Sequence, residues 1–438
     1  MIGLAREGID LTRFLTRHGA TVRVTDRRSP AEFQEAMAEL DASGTVSYRL
    51  GGHSTSDLDD ADVVYASPGV PPENPLLNAA RERGIRLSSL IELFFELCPA
   101  PIVGVTGSAG KSTTTSLLGE MFTVGGRDVF VGGNIGRPLL GRLDEMTPSS
   151  WVVLELSSFQ LEPLQVSPHV AVVTNVTPNH LDRHPSMEAY WAAKGQILNH
   201  QAPTDWAVLN ADDAWSLRYR PRGRALRFSL EGVVEGAYLA GQQLMLFGEP
   251  LIAAADVPLR GRHNIANVLA ASAAAHAAGI EREAMADAIR RFQGVAHRLQ
   301  TVAERDGVKF VDDSIATAPE RSIAAIEAYT EPLVLIAGGR DKHLPMQQWA
   351  GLIARRVKHV VLLGEMSELV AQAIHDVDPA YAAISRASSM DEAVSQAARA
   401  ARGGDVVLLS PGGTSYDMYR DFEERGRDFA RAVEHLHA

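Results

Sequence analysis

The chain has 438 residues, 45% of them hydrophobic and 22% charged, with a formal net charge of −12 and a single cysteine, Cys98. That length corresponds to about three ordinary domains, and the balance to a packed chain. The acidic charge excludes broad binding to nucleic acid or an anionic membrane surface, while local arginines and helix ends can still hold a small anion. One cysteine allows neither an internal disulfide nor a thiolate metal cluster. No secretory signal opens the sequence and no apolar run is long enough to span a bilayer. The alanine-rich stretch 265–279 is interrupted by His276 and reads as a buried helix. A cytoplasmic location is the default expectation.

In chain order, Met1-Ile2-Gly3-Leu4-Ala5-Arg6-Glu7-Gly8 reads as the end of a strand, a turn and a helix to about His18. A first strand normally carries several apolar residues ahead of Gly3, so the start is expected to be clipped. A strand at 21–25 ends at Asp26, and one at 63–66 leads into Ser67-Pro68-Gly69. A second unit starts near Pro99, with strands at 101–105, 129–132, 151–156 and 170–175. Residues 205–260 carry short strand-like pieces that read as a small β insertion, closed by helices at 263–278 and 282–292. A third alternating unit begins near His297 and reaches its last strand before Pro411-Gly412-Gly413. Alternating strands and helices predict parallel, doubly wound sheets. The expected fold is α/β in three domains, 1–98, 99–296 and 297–438. The outer two are Rossmann-like, and the central one is a phosphate-loop domain with a parallel sheet and the β insertion.

Residues 104–115 read Gly-Val-Thr-Gly-Ser-Ala-Gly-Lys-Ser-Thr-Thr-Thr, straight after Pro101-Ile102-Val103. A strand, a glycine-rich turn and Lys-Ser opening a helix make a phosphate cradle. Its backbone N–H groups crowd the phosphate oxygens and the helix N-terminus favours negative charge. Gly107, Ser108, Ala109, Gly110, Lys111, Ser112 and Thr113 are the expected triphosphate contacts, with the Ser112 hydroxyl suited to Mg²⁺. The usual first glycine of this motif falls on Val105.

Glu155 ends an apolar strand, where ligands bind in doubly wound folds, and suits Mg²⁺; the plain alternative is a strand-end carboxylate in solvent. His180, Asp182 and His184 follow another strand. A zinc site there lacks a further matching ligand set, and a rim position near Mg²⁺ is favoured. Lys194 lies in a helix, where a lysine is ordinarily a solvated surface charge.

Together, Thr106-Gly107 through Lys111-Ser112, Glu155 through Gln160, Asn175 through His184 and the Ala-Ala-Lys ending at Lys194 resemble the Mur ligase family. These are the ATP-dependent amino-acid ligases of peptidoglycan precursor synthesis. The resemblance continues through His263-Asn264, Asn267, His297-Arg298, Asp312-Asp313-Ser314 and Ser410 to Phe422, nearly the whole chain. The run Gly132-Gly133-Asn134-Ile135-Gly136 with Glu155–Leu161 is similar to the glutamate-adding branch.

The resemblance implies that Lys111 and Ser112 hold ATP and its Mg²⁺, that Glu155 and His180 serve a pair of Mg²⁺ ions, and that Lys194 becomes a carbamate. An ammonium would repel the metal, whereas a carbamate offers anionic oxygens. It implies that Asn264, Asn267, Arg298 and Asp313 position the nucleotide. Leu4, Ala5, Asp26, Arg27, Arg28, Ser67, Pro68, Gly69 and Asn134 would hold a UDP sugar, and Thr317, Lys342, Ser415 and Phe422 the glutamate. The expected substrates are UDP-N-acetylmuramoyl-L-alanine, D-glutamate and ATP, joined through an acyl phosphate by a monomer that closes over them, with neither nucleic acid nor membrane as partner.

Two positions depart from the family pattern. Ala109 stands where an asparagine is usual, and Ile315 where the D-glutamate-adding ligases carry lysine. The second leaves an L-glutamate-adding ligase as an alternative. A folylpolyglutamate-synthase-like ligase is a further one, disfavoured by residues 1–98 because that enzyme lacks a full UDP-binding domain. A nucleotide switch or an NAD-dependent dehydrogenase is the reading from a different class, and the absence of a full G-x-G-x-x-G fingerprint weakens it.

Overall fold

Strands buried along their whole length organise the centre of the chain. Ile102–Thr106 (Ile-Val-Gly-Val-Thr) and Val170–Val173 (Val-Ala-Val-Val) are buried at every position. Such uninterrupted apolar runs belong to parallel strands covered by helices on both faces. In the computed structural model, which describes residues 1–41, 46–135, 138–180, 183–259, 261–342 and 344–436, these strands lie inside a nine-stranded sheet. Among the described residues its order is Glu249–Ala253, Gln243–Leu246, Gly236–Ala240, Arg224–Ser229, Trp206–Asn210, Val170–Val173, Ile102–Thr106, Trp151–Glu155 and Val129–Gly133. Pairing is parallel from Gly236–Ala240 to Val129–Gly133 and antiparallel at the other edge.

The short strands expected as a small β insertion extend the central sheet. Trp206–Asn210 pairs in parallel with Val170–Val173, and the rest follow outward. Helices Lys111–Val124 and Arg262–Ala277 cover one face, where Leu117, Leu118, Met121 and Phe122 meet Val268, Leu269 and the alanines of 270–275. The opposite face buries Leu11, Leu90, Phe94, Leu140, Leu156 and Ile197 together. The first helix, Arg6–Arg17, thus shares an apolar core with the central sheet.

At the N-terminus two parallel pairs form, Val22–Asp26 with Val46–Leu50 and Val63–Tyr65 with Arg86–Ser88. Ile2 bridges Thr25 on one side and Ala66 on the other, so this single residue stands where a first strand was expected.

The chain forms two units, Met1–Phe292 and Gln293–Ala438. The second unit is built on a six-stranded sheet among the described residues. Its order is Gln300–Arg305, Val308–Asp312, Val406–Gly412, Leu333–Gly338, Val357–Leu363 and Ile384–Ala387, with only the first pair antiparallel. Among the described residues no helix is long and apolar enough to cross a membrane.

Candidate active site

In the first unit, the C-terminal ends of neighbouring parallel strands deliver one cluster, as the topology of such sheets dictates. The turn after Ile102–Thr106 holds Gly107 at φ +151° and Gly110 at φ +84°, backbone conformations that favour glycine. Neither has room for a β-carbon, which would strike the Thr174 hydroxyl at Gly107 and the Asn267 amide at Gly110. The segment after Val170–Val173 braces this turn. The Ala109 amide donates to Asn175 Oδ1 at 2.9 Å, and Asn175 Nδ2 returns a bond to the Ala109 carbonyl at 3.0 Å. Ser108 Oγ donates to the Thr177 carbonyl at 2.9 Å and lies 3.1 Å from the Tyr190 hydroxyl. Ser112 and Thr113 follow in the first turn of Lys111–Val124, and Asn267 Nδ2 donates to Asn264 Oδ1 at 3.1 Å beside Gly110.

Two ammonium groups meet on one carbonyl. Lys111 Nζ donates to Gly107 O at 2.9 Å and to Ser108 O at 3.3 Å; Lys194 Nζ donates to Gly107 O at 2.9 Å. Lys194 is only 1% exposed, so it is no surface charge. Burial, and secondarily Lys111, push it down to about 6 against the pull of Glu155. Its Nζ stands 4.5 Å over the Tyr190 ring, one helical turn back on the same face.

Glu155 is 2% exposed, which removes the solvent alternative. Its Oε1 accepts from Asn134 Nδ2 at 2.8 Å, while Oε2 is buried with no partner among the described residues. A bare buried carboxylate oxygen is costly unless something fills it, and hard cations take oxygen ligands. The donor set therefore fits Mg²⁺.

His180 is exposed and adopts φ +54°, an uncommon conformation for a non-glycine residue and one that clusters at functional sites. Its ring lies edge-on to Phe159 at 5.1 Å, and Phe159 stacks on buried His184 at 5.4 Å. His184 Nε2 lies 3.0 Å from Ser158 Oγ, so the two histidines occupy different environments. Asp182 and Gly136 lie outside the described residues.

A cavity of about 630 Å³ opens beside this cluster. Ala5, Asp26, Arg27, Arg28, Ser67, Pro68, Gly69 and Asn134 line it. Leu4 stands behind the wall, fully buried, its amide donating to Asp26 Oδ2 at 2.8 Å. Arg6 and Glu7, from the same turn as Leu4 and Ala5, also line it, as do His53 and Asn74, which escaped the sequence reading. Arg6 Nη2 donates to Gly133 O at 3.3 Å, and Gln160 Nε2 donates to Glu7 Oε1 at 2.6 Å. Burial raises the Glu7 carboxyl above its usual range. Asn134 belongs to both places: it lines the cavity and holds Glu155.

In the second unit, Asp313 follows the strand Val308–Asp312. Its carboxylate accepts from Ser410 Oγ at 2.9 Å and from the Leu299 amide at 3.2 Å, and burial raises it to about 7. Arg298 is exposed and bears on Asp313 electrostatically. Lys342 Nζ lies 3.4 Å from Thr317 Oγ1, and partial burial lowers its pKa. Ser415 is buried just past Val406–Gly412. Phe422 begins the last helix, its carbonyl accepting from Ser314 Oγ at 2.8 Å and its ring edge-on to His297 at 6.3 Å. Arg321 Nη1 donates to the Ile315 carbonyl at 3.2 Å.

A phosphate loop, a buried carboxylate beside it and an adjoining large cavity with three arginines in its wall define a phosphate-loop α/β enzyme. Three family models match in sequence order: the Mur ligase MurD-like N-terminal domain over residues 1–89, the Mur ligase middle domain over 105–275 and the Mur ligase glutamate ligase domain over 297–413. A UDP-N-acetylmuramoylalanine--D-glutamate ligase of Symbiobacterium thermophilum is 42% identical over 446 residues, covering 100% of this chain and 97% of the relative. One of Pelotomaculum thermopropionicum is 42% identical over 441 residues, covering 99% and 96%. Among solved structures, MurF from Acinetobacter baumannii superposes with a TM-score of 0.60 at 17% identity, covering 95% of this chain and 92% of that one. The chain belongs to the Mur ligase family.

Proposed function

We propose that this chain joins D-glutamate to UDP-N-acetylmuramoyl-L-alanine at the expense of ATP, as a cytoplasmic monomer in peptidoglycan precursor synthesis. End-to-end similarity to ligases of that name supports the substrates. The observation that carries the reading is Asn134, which faces the large cavity and holds Glu155 beside the phosphate loop. A carboxylate extending from a nucleotide in that cavity would reach the triphosphate there.

In this reading Gly107 to Thr113 cradle the triphosphate, and Lys111 turns from its backbone carbonyls to the outer phosphates. Ser112, Glu155 and His180 would hold a pair of Mg²⁺ ions, which would supply charge neutralisation of the phosphates. The alanine carboxylate attacks the γ-phosphorus, the bond to the β-phosphate oxygen breaks and ADP leaves. The glutamate amine then attacks the acyl carbon, loses a proton, and expels phosphate as the amide forms. Positioning and charge neutralisation supply most of the acceleration.

Lys194, largely neutral because it is buried, is suited to add CO₂ through its nitrogen and release a proton. The resulting carbamate would place anionic oxygen donors beside the metal site, where a protonated Lys194 would repel the ion. Asn264, Asn267, Arg298 and Asp313 position ATP. Ala5, Asp26, Arg27, Arg28, Ser67, Pro68 and Gly69 hold the UDP moiety, with Leu4 behind them. Thr317, Lys342, Ser415 and Phe422 hold glutamate. Residues 1–98, 99–296 and 297–438 then serve one substrate each.

The test is phosphate release from ATP and Mg²⁺ with UDP-N-acetylmuramoyl-L-alanine and each glutamate enantiomer separately. Release is expected only with the D form. Release with L-glutamate alone, or without either co-substrate, overturns the reading.

A further inference from the structure

We infer that His53 is a ligand-contacting residue of the large cavity, its ring fixed so that Nε2 accepts a hydrogen bond from a neutral N–H or O–H donor on the bound uridine nucleotide. The inference rests on the nucleotide reading above and goes beyond it by naming the contact.

The ring is set by a buried relay. Asp57 Oδ2 accepts from the Ser54 amide and from Thr25 Oγ1, each at 2.9 Å. Thr25 is 3% exposed and Asp57 9%. A threonine hydroxyl carries one proton, and a carboxylate can only accept. With that proton committed to Asp57, Thr25 Oγ1 can only accept from His53 Nδ1, 2.9 Å away. The alternative destination for the proton, the Gly52 carbonyl, is farther at 3.4 Å. Nδ1 therefore carries the ring proton, and in the neutral ring Nε2 is the acceptor. Burial and Arg27 hold His53 below the usual histidine range, which favours that neutral ring. Nε2 has no partner among the described residues, and His53 lines the cavity.

Two neighbouring acceptors on this wall, Asp26 and Asn74, are engaged within the chain. Asp26 Oδ1 takes the Arg28 amide at 2.9 Å and Arg28 Nε at 3.3 Å. Its Oδ2 takes the Leu4 amide at 2.8 Å and Arg28 Nη2 at 3.1 Å. Both Asp26 oxygens are thus engaged with Arg28 and the Leu4 amide. Asn74 Oδ1 takes the Leu76 amide at 2.9 Å. Arg6, Arg27 and Arg28 supply cations suited to a diphosphate. His53 supplies the acceptor they lack, and a uridine nucleotide offers a ring imide N–H and ribose hydroxyls to meet it.

The full-length protein is titrated calorimetrically with UDP, 3-methyl-UDP and 2′,3′-dideoxy-UDP. His53→Ala should weaken UDP binding about fivefold, the size of one hydrogen bond. His53→Gln, which keeps an acceptor near the Nε2 position, should recover most of that. One of the two analogues should lose a similar factor against the wild type and nothing further against His53→Ala, and that analogue identifies the donor. Equal UDP affinity for wild type and His53→Ala overturns the inference. So does a loss for each analogue that is the same in both proteins. Failure of the wild type to bind UDP at all overturns the nucleotide reading with it.

Discussion

Two buried cations, one in each unit, show how differently burial can end. Lys194 and Arg425 are 1% and 3% exposed. Among the described residues Lys194 has a single hydrogen-bond acceptor, Gly107 O, which it shares with Lys111. Burial pushes it to about 6, so the amine is mostly neutral near pH 7. Arg425 spreads its donors over Ser314 Oγ and Ser314 O, each at 2.9 Å, and over Gly413 O at 3.2 Å. Burial lowers it only to about 10 and it stays charged. A delocalised fork that finds several acceptors tolerates a dry interior, and an ammonium with one acceptor and a like charge nearby does not. The first arrangement leaves a reactive nitrogen. The second leaves a structural tie between the loop after Val308–Asp312 and the loop after Val406–Gly412, just before Thr317 and Ser415.

The largest effect that separates them is on turnover. Lys194→Ala should lower ligase kcat by about 10³-fold, the scale of losing a charge-organising group at the reacting centre. Added short carboxylates should restore part of the rate by standing in for the carbamate. Full activity without them would reduce Lys194 to a buried lysine with no chemistry. Arg425→Met should act on stability instead. It strands the Ser314 and Gly413 carbonyls and should cost the second unit about 3 kcal/mol, seen as an earlier thermal transition. KM for glutamate should rise more than kcat falls. Arg425→Lys keeps charge but not the fork and should recover less than half of the lost stability. If Arg425→Met unfolds like the wild type, the contrast between the two cations fails.

The phosphate loop was legible because its signal is local: a strand, two glycines and Lys-Ser within a dozen residues. Gly107 and Gly110 occupy the conformations that spacing demanded. Glu155 was legible as a strand end but not as a buried acid, because its burial depends on Asn134, which arrives from another strand. Tyr190 could have been found from its i, i+4 relation to Lys194, and Phe159 from its place between Ser158 and Gln160. Arg425 and His53 could not. Arg425 is explained by Ser314, far earlier in the chain, together with Gly413, and His53 by Thr25 and Asp57 together. The strands of 205–260 were legible as a β insertion but not in their pairing, because their short pattern says nothing about which neighbour they join. The parallel register of Trp206–Asn210 on Val170–Val173 joins them to the central sheet.

Asp313 gives a smaller effect that sharpens the comparison by reversing the charge. It too is buried, at 4% exposure, and desolvation raises it from 3.8 to about 7 despite bonds from Ser410 and Leu299. A folded-state pKa above the unfolded one means the native chain holds the proton more tightly between those values. Stability from this group is therefore complete below about pH 4, declines as pH rises, and is lost above about pH 7. Asp313→Asn cannot titrate, and the Ser410 hydroxyl can turn to suit an amide. The variant should match the wild type in thermal unfolding near pH 4 and exceed it increasingly up to pH 7. The gain should then level at about 4 kcal/mol, the size of a shift from 3.8 to about 7, while turnover falls in keeping with the role proposed for Asp313 at ATP. A stability difference that is constant across that range would show that Asp313 is charged at every pH tested. It would also remove the parallel with Lys194, in which a dry environment decides the protonation state.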